Sequence, residues 1–524
     1  MTTIAIDFGT SNTVVSILNP DTKKPESLRF PQISRLFQLG KLDGNVLTMP
    51  VIPTLVFVKE AGGLVLGEQV RAQRLGLSQP HRLFKAFKRD LAADFQSPPR
   101  HLDGTSYSVQ RIAELFLEQL WQQLHQHHQI QPTQVIFTVP VGAFERYSDW
   151  FRDLGKSLGA REVHLVDEST AAALGYAVQR PGTLVLVVDF GGGTLDLSLV
   201  RTSVASQEET RAEILAKSEA YIGGEDIDIW IVEDYLRRQS LSRETIGEIG
   251  FSNLQEIAEK LKMRLSDGTE AKESWLDEES FFSHELSLTR PQLEEILENQ
   301  QFLERLRGCL DEVLEAALGK GISKSDIEKV ILVGGSCLIP AVQQLVISYF
   351  GKQKVAWSSP FEAIAHGALA LNKITVIEDY LRHSYVLRLW EPQKKTHYYL
   401  PLFESGVKYP CQREIPLVLQ AAIEGQKELR LDIGEVAIIK QAEVIYDEQG
   451  RMTSSSLHKM DSYRSLEGNG QQVCIAHLSP PGSLGHDRIS VFLEVDARKM
   501  LLATVKDLVT GKILAEKHPI SRLE

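Results

Sequence analysis

The sequence predicts an α/β region built twice from one unit, followed by an all-β region. Three observations carry this. Short β-rich runs alternate with amphipathic helical patterns over residues 1 to about 373. Within them Ile4–Leu18 (IAIDFGTSNTVVSIL) recurs as Leu186–Val200 (LVVDFGGGTLDLSLV), an offset of 182 residues from Asp7 to Asp189. After residue 384 helical periodicity fades and strand-like runs separated by turns take over.

In the first region Ile4–Phe8, Val14–Leu18, Val135–Val139, Val163–Val166, Leu184–Phe190, Leu195–Arg201 and Val330–Val333 read as strands. Several are continuously apolar, as strands covered on both faces are. Between them Ile112, Leu115, Phe116, Leu120 and Leu124 recur at helical spacing within Val109–His125. The three histidines at that helix's end, His125, His127 and His128, read as a solvated terminus rather than a metal cluster. Ile374–Ser384 joins the two regions. Beyond it Tyr385–Trp390, Glu428–Ile433, Ala437–Ile445, Arg488–Val495 and Leu501–Lys506 read as strands, and Ser/Gly-rich Met452–Gln472 as a long loop. The expected layout is therefore a two-lobed domain over 1–373, a linker over 374–384 and an all-β domain over 385–524.

Composition excludes several classes. Of 524 residues, 43% are hydrophobic and 24% charged, enough apolar material for several cores, which argues against wholesale disorder. A formal charge of −12 argues against a general nucleic-acid binder. Cys309, Cys337, Cys411 and Cys474 are scattered, with no CxxC spacing, so neither a zinc ribbon nor a disulfide framework is expected. No apolar run reaches the ~18 residues of a membrane span, and MTTIAIDFGT has no charged leader. A cytoplasmic protein with neither membrane nor nucleic-acid partners is expected.

The repeated turns carry the chemistry. In Asp7-Phe8-Gly9-Thr10-Ser11-Asn12 a buried strand ends at a glycine turn, where backbone can approach a ligand and hydroxyls and amides can bond phosphate oxygens. Asp189-Phe190-Gly191-Gly192-Gly193-Thr194 offers the same parts. Either alone is equally an ordinary hairpin turn; two at equivalent places in a repeat can clamp a polyphosphate. An aspartate beside phosphates can hold Mg²⁺ directly or through water. Gly334-Gly335-Ser336 lies between a strand and the helix around Ala341–Tyr349, where backbone can approach a nucleotide or simply pack tightly. Glu259, Lys262 and Ser266 share one helix face, which by spacing alone is a solvated face. Lys88 (Phe87-Lys88-Arg89) and Glu168 (Asp167-Glu168-Ser169-Thr170) do not stand out by residue type.

Taken in order, IDFGTSN, FKR, FTVP, VDESTAAALGYA, VVDFGGGTLDLSLV, IGGEDID and ILVGGS resemble the actin-like ATPase superfamily, and within it the DnaK-like 70-kDa heat-shock chaperones. Pro410 to Glu435 and Leu478–Lys512 are similar to parts of that family's β-sandwich substrate domain. The resemblance implies a duplicated, ribonuclease-H-like ATPase domain that binds ATP/ADP with Mg²⁺, followed by an all-β sandwich. It implies that Asp7, Gly9, Thr10, Ser11 and Asn12 line the first phosphate loop and Gly191, Gly192 and Gly193 the second. Lys88 takes the position that contacts the γ-phosphate and attacking water; Glu168, Asp189 and Thr194 complete the catalytic side. Asp7 and Asp189 would hold Mg²⁺ through water. Gly223, Gly224, Glu259, Lys262, Ser266, Gly334, Gly335 and Ser336 would hold the nucleoside. Implied partners are extended or unfolded polypeptide clients, a J-domain cochaperone and a nucleotide exchange factor.

Departures set further expectations. Met263 and Leu338 stand where the family commonly stacks arginines on adenine, so looser or weaker ATP binding is expected. His164 replaces an arginine used toward J-domain partners, the segment Glu378–Ser384 is polar, and Lys427 falls at the peptide pocket's central valine. The chain stops where the sandwich ends, so no helical lid is expected. Two other readings are a nucleotide-binding regulatory scaffold with little turnover and a small-molecule kinase of the same superfamily.

Overall fold

The computed structural model describes residues 2–523 except 43–44, 77–78, 93–96, 141–144, 178–182, 207–208, 278–281, 358, 371–380, 382–383, 392–395, 405–406, 408, 422, 447–451, 467–472 and 497–498. Both copies of the repeated segment fold as antiparallel hairpins. Thr3–Phe8 pairs with Asn12–Leu18, and Leu184–Phe190 with Leu195–Ser206. The inner strand of each takes a parallel neighbour on its other edge, Gln134–Val139 in the first half and Lys329–Val333 in the second. Glu162–Asp167 and Val355–Ala356 extend those same sides in parallel. The repeat in sequence is thus a repeat in topology. Ile4, Ala5, Ile6 and Phe8, like Val185 through Val188, are buried on both faces, which is why these runs lack polar alternation.

Helices cover the sheets. Val109–His128 starts at Ser108, whose Oγ accepts the Arg111 amide at 3.1 Å, and buries Ile112, Phe116, Leu120 and Leu124. In the second half Gly224–Arg238 packs beside the long helix Arg243–Asp267. Sequence periodicity did not reveal the hairpin Arg35–Leu42 with Asn45–Pro53, which joins the first sheet through Asn12 and Thr13.

The two halves meet where the helices Glu168–Ala177 and Ala363–Ala368 cross. A single apolar cluster takes Ala5, Ile136 and Val166 from the first sheet and Val185, Val187 and Val333 from the second. Ala171 through Leu174, Ile364 and Ala368 from these helices fill it. Contact is backbone to backbone: Gly175 lies against Gly367, and a side chain at Gly367 would overlap the Ala171 carbonyl.

The chain divides into two compact units, 1–377 and 378–524. In the second, one sheet runs Thr396–Phe403, Ser384–Glu391, Ile433–Tyr446, Met452–Ser465. Another is built on Asp487–Val495, Met500–Asp507 and Ile513–Arg522. Ile489, Val491, Leu493 and Val495 alternate inward with Leu501, Ala503 and Val505 onto a shared core. Two readings are corrected here. Met452–Ser465 is a strand, not a loop: its backbone pairs along Ile433–Tyr446 at the sheet edge, where polar residues are tolerated and no apolar period is needed. The run Glu428–Ile433 is broken at Asp432, because Gln426–Leu431 pairs with Val473–Gly482 while Ile433 opens a strand of the other sheet. Asp432 anchors the corner, accepting from Arg388 Nε at 2.7 Å and from the Tyr463 hydroxyl at 2.5 Å. The linker reading falls on residues outside the description apart from Leu381 and Ser384. Among the described residues no helix is long and apolar enough to cross a membrane.

The crossing gives a direct test. Gly367→Ala should lower stability by roughly 2–4 kcal/mol, because the methyl group can be accommodated only by separating the helices. Thermal unfolding of the full chain reads this; an unchanged transition would refute the packing argument.

Candidate functional site

Both hairpin turns point into one site. Asp7 closes the first strand, and its Oδ1 accepts the Thr138 hydroxyl at 2.6 Å. The turn after it is pinned by Thr54, whose Oγ1 donates to Gly9 O and whose amide donates to Ser11 O, both at 2.9 Å. In the second half Asp189 faces Asp196 across the hairpin, and Gly191 closes the turn with its amide on Thr194 O at 3.0 Å. The carbonyls of Gly191 and Gly192 accept the amides of Gly224 and Glu225, the first residues of Gly224–Arg238, at 3.1 and 2.9 Å. Ser336 Oγ donates to the same Gly191 carbonyl at 2.8 Å. The halves touch here: Ser11 Oγ donates to Glu225 Oε1 at 2.9 Å, and a side chain on Gly192 would collide with that hydroxyl.

Deeper in, Lys88 on the helix Phe87–Ala92 reaches Glu168 at the start of Glu168–Ala177, with Nζ to Oε1 at 2.7 Å and both side chains buried. Thus the structure gathers Asp7, Lys88, Glu168, Asp189 and the two loops. It also shows that Glu259 and Lys262 are not a solvated face, because each is drawn into a partly buried ion pair. Arg71 Nη1 lies 2.7 Å from Glu259 Oε2. Lys262 Nζ binds Gly224 O at 2.6 Å and Asp228. Ser266 bonds back to its own helix at Lys262 O, 3.3 Å.

The electrostatics are unbalanced. Burial, then repulsion from Glu168, pushes the Asp7 carboxyl up to about 6, against the pull of Lys88 and Thr138. Asp196 is pushed up to about 7 by burial and Glu168. Asp189 is raised well above the carboxylate range by burial and by Glu168, Asp196 and Asp7. Burial would lower Lys88, but Glu168, Tyr147 and Asp7 together hold its ammonium above the usual lysine range. Carboxylates outnumber the lysine in a medium where charge is expensive, which is the donor set a divalent cation relieves. Among the described residues no three such side chains converge closely enough to ligate a metal directly.

Sequence reasoning missed several of these groups. Thr138 and Asp196 are polar residues inside otherwise apolar strand runs, a signal that was available. Tyr147 was not legible: its hydroxyl is buried without a hydrogen-bond partner among the described residues and interacts with Lys88, Glu168 and Asp7. Thr54, Glu225, Asp228, Arg35 and Arg71 likewise matter only through distant contacts. Elsewhere His164 is exposed beside Glu162, at 3.7 Å, and Lys427 is exposed on its strand.

Residues 79–379, more than half of the chain, match the family model described as Hsp70 protein. That span includes Lys88, Glu168, the second loop, the long helix and Gly334–Ser336; the first loop lies outside it and joins the site through geometry.

The crowding of carboxylates has a pH signature in the ligand-free chain. A carboxyl raised from 3.8 to about 6 contributes stability below its unfolded value and loses it as pH rises through 6. Asp7→Asn keeps an acceptor for Thr138 and removes the charge. It should be more stable than the unaltered chain by about 1–3 kcal/mol near pH 7.5. The gap should close near pH 4, as thermal unfolding at the two pH values will read. An equal gap at both would refute the charge argument.

Proposed function

The chain belongs to the Hsp70 family, and from that premise we propose that it binds Mg-ATP between the two sheet halves of residues 1–373. It hydrolyses the nucleotide slowly and uses it to switch the all-β domain 385–524. In this reading the halves are the lobes of an actin-like ATPase, 374–384 is the linker, and the second domain is a client-binding sandwich. The observation that carries it is the buried Lys88–Glu168 pair, 2.7 Å apart, lying between two facing glycine turns.

Phosphoryl transfer to water asks a protein mainly to position groups and neutralise charge. The amides and hydroxyls of Gly9–Asn12 and Gly191–Thr194 would cradle the phosphates. Lys88, drawn from Glu168, would stabilise charge on the terminal phosphate. Glu168, released, would orient the attacking water, with Thr194 beside it. Mg²⁺ supplies charge neutralisation across the phosphates, and Asp7 and Asp189 would hold its waters. Glu259, Lys262, Ser266, Gly223–Gly224 and Gly334–Ser336 would surround the nucleoside, and ADP would occupy the same place after turnover.

One observation favours the scaffold reading: Lys88 and Glu168 are occupied with each other, so chemistry must first separate a strong buried pair. Single-turnover hydrolysis decides between the two. We expect the unaltered chain to form ADP and free phosphate in equal amounts, and Lys88→Ala to lower the rate at least about a hundredfold while binding Mg-ATP. Equal rates would sink the ATPase reading; ATP binding with no turnover in either would establish the scaffold; a phosphorylated small molecule would establish the kinase.

For clients, Ile423 and Leu484 are 64% and 58% exposed on neighbouring loops joined by the Ala421–Leu484 bridge. We expect an extended apolar peptide to bind the full chain there. Fluorescence anisotropy should show at least about a fivefold loss in the double variant Ile423→Asp, Leu484→Asp. Unchanged binding would remove these loops from the client site.

A further inference from the structure

The hairpin Arg35–Leu42/Asn45–Pro53 belongs to the first half, yet its first residues reach the second. Arg35 Nη2 lies 3.4 Å from Met263 Sδ, and Nη1 lies 3.6 Å from Glu259 Oε1, both on the helix Arg243–Asp267. The guanidinium carbon sits 4.8 Å from the centroid of the Phe37 ring. Phe37 in turn packs on Phe361, centroids 4.7 Å apart, and a side chain at Gly335 would meet that Phe361 ring at 3.0 Å. Leu338 packs on the same apolar cluster as Phe37. Arg35 and Phe37 therefore bridge the Glu259–Ser266 helix face and the Gly334–Ser336 turn.

We propose that Arg35 is a base-contacting, specificity-determining residue of the nucleotide site, delivered from the opposite half of the unit. This rests on the nucleotide reading above. Its surroundings choose the ligand part. A thioether, an aromatic ring and the Glu259 carboxylate suit a neutral heteroaromatic ring and repel phosphate. Met263 and Leu338 are apolar and offer no planar group, whereas a guanidinium stacks on a base and donates along its edge. Because Arg35 and Glu259 come from different halves, holding the base also holds the halves together. The phosphate end, around Ser11 and Glu225, has its own contacts and does not need Arg35.

Calorimetry on the full chain separates the roles, using Mg-ATP and, as a ligand without a base, Mg-tripolyphosphate. Arg35→Ala should weaken Mg-ATP about tenfold and tripolyphosphate less than twofold. Arg35→Lys keeps the charge facing Glu259 but loses the plane, and should retain the ATP defect. Arg71→Ala removes the stronger partner of Glu259 and should not discriminate between the two ligands. Unchanged ATP affinity in Arg35→Ala, equal losses of both ligands, or full rescue by lysine would overturn the proposal while leaving nucleotide binding intact. Absence of Mg-ATP binding by the unaltered chain would overturn both.

Discussion

The crossing of Glu168–Ala177 over Ala363–Ala368 is the constraint on which the first unit depends. Two backbones approach so closely that only hydrogen fits at Gly367. Around that point one apolar cluster draws residues from both sheets, joining the separate cores that the two halves form on their own. The crossing also sets the chemistry. Glu168 opens one of the crossing helices, and Asp7 and Asp189 stand one residue before the ends of the strands beside it. Packing at the crossing thereby brings together the ends of two hairpins 182 residues apart.

What gathers there is costly by itself. Asp7, Asp189 and Asp196 are raised by burial and by Glu168, and Lys88 answers only part of the charge. A site of this kind is held by the surrounding fold rather than contributing to it. The same imbalance gives a hydrated cation and a polyphosphate something to gain on binding, since each neutralises what the other and the protein leave exposed. Tyr147, whose hydroxyl is buried without a hydrogen-bond partner among the described residues, adds a further desolvated polar atom beside these groups.

In the proposed reading the base end follows a different logic from the phosphate end. At the proposed phosphate end the groups are the backbone amides and hydroxyls of the repeated turns, with buried Lys88 from the helix Phe87–Ala92. In the proposed reading the nucleoside would meet a cross-half set: Arg71 and Arg35 with Glu259, and Phe37 with Phe361. Arg35, Phe37 and Arg71 come from a hairpin and a short helix that precede the span matching the family. Met263 meets Arg35, and Leu338 packs on the same cluster as Phe37.

The sequence by itself determined the strands, the two turns and their equivalence, because two-face burial and glycine turns leave local signatures. By resemblance it also pointed to Lys88, Glu168 and Asp189, which the structure gathers in one place. It could not show that Glu259 and Lys262 leave solvent for ion pairs, that Met452–Ser465 is a strand, or that Arg35 meets Met263. Helix spacing records which residues share a face and not what covers it; a polar edge strand carries no apolar period. Arg35 and Met263 are 228 positions apart. Only the tertiary structure decided those contacts, because a long-range pair is selected by how two cores pack and leaves no pattern at either end of the chain.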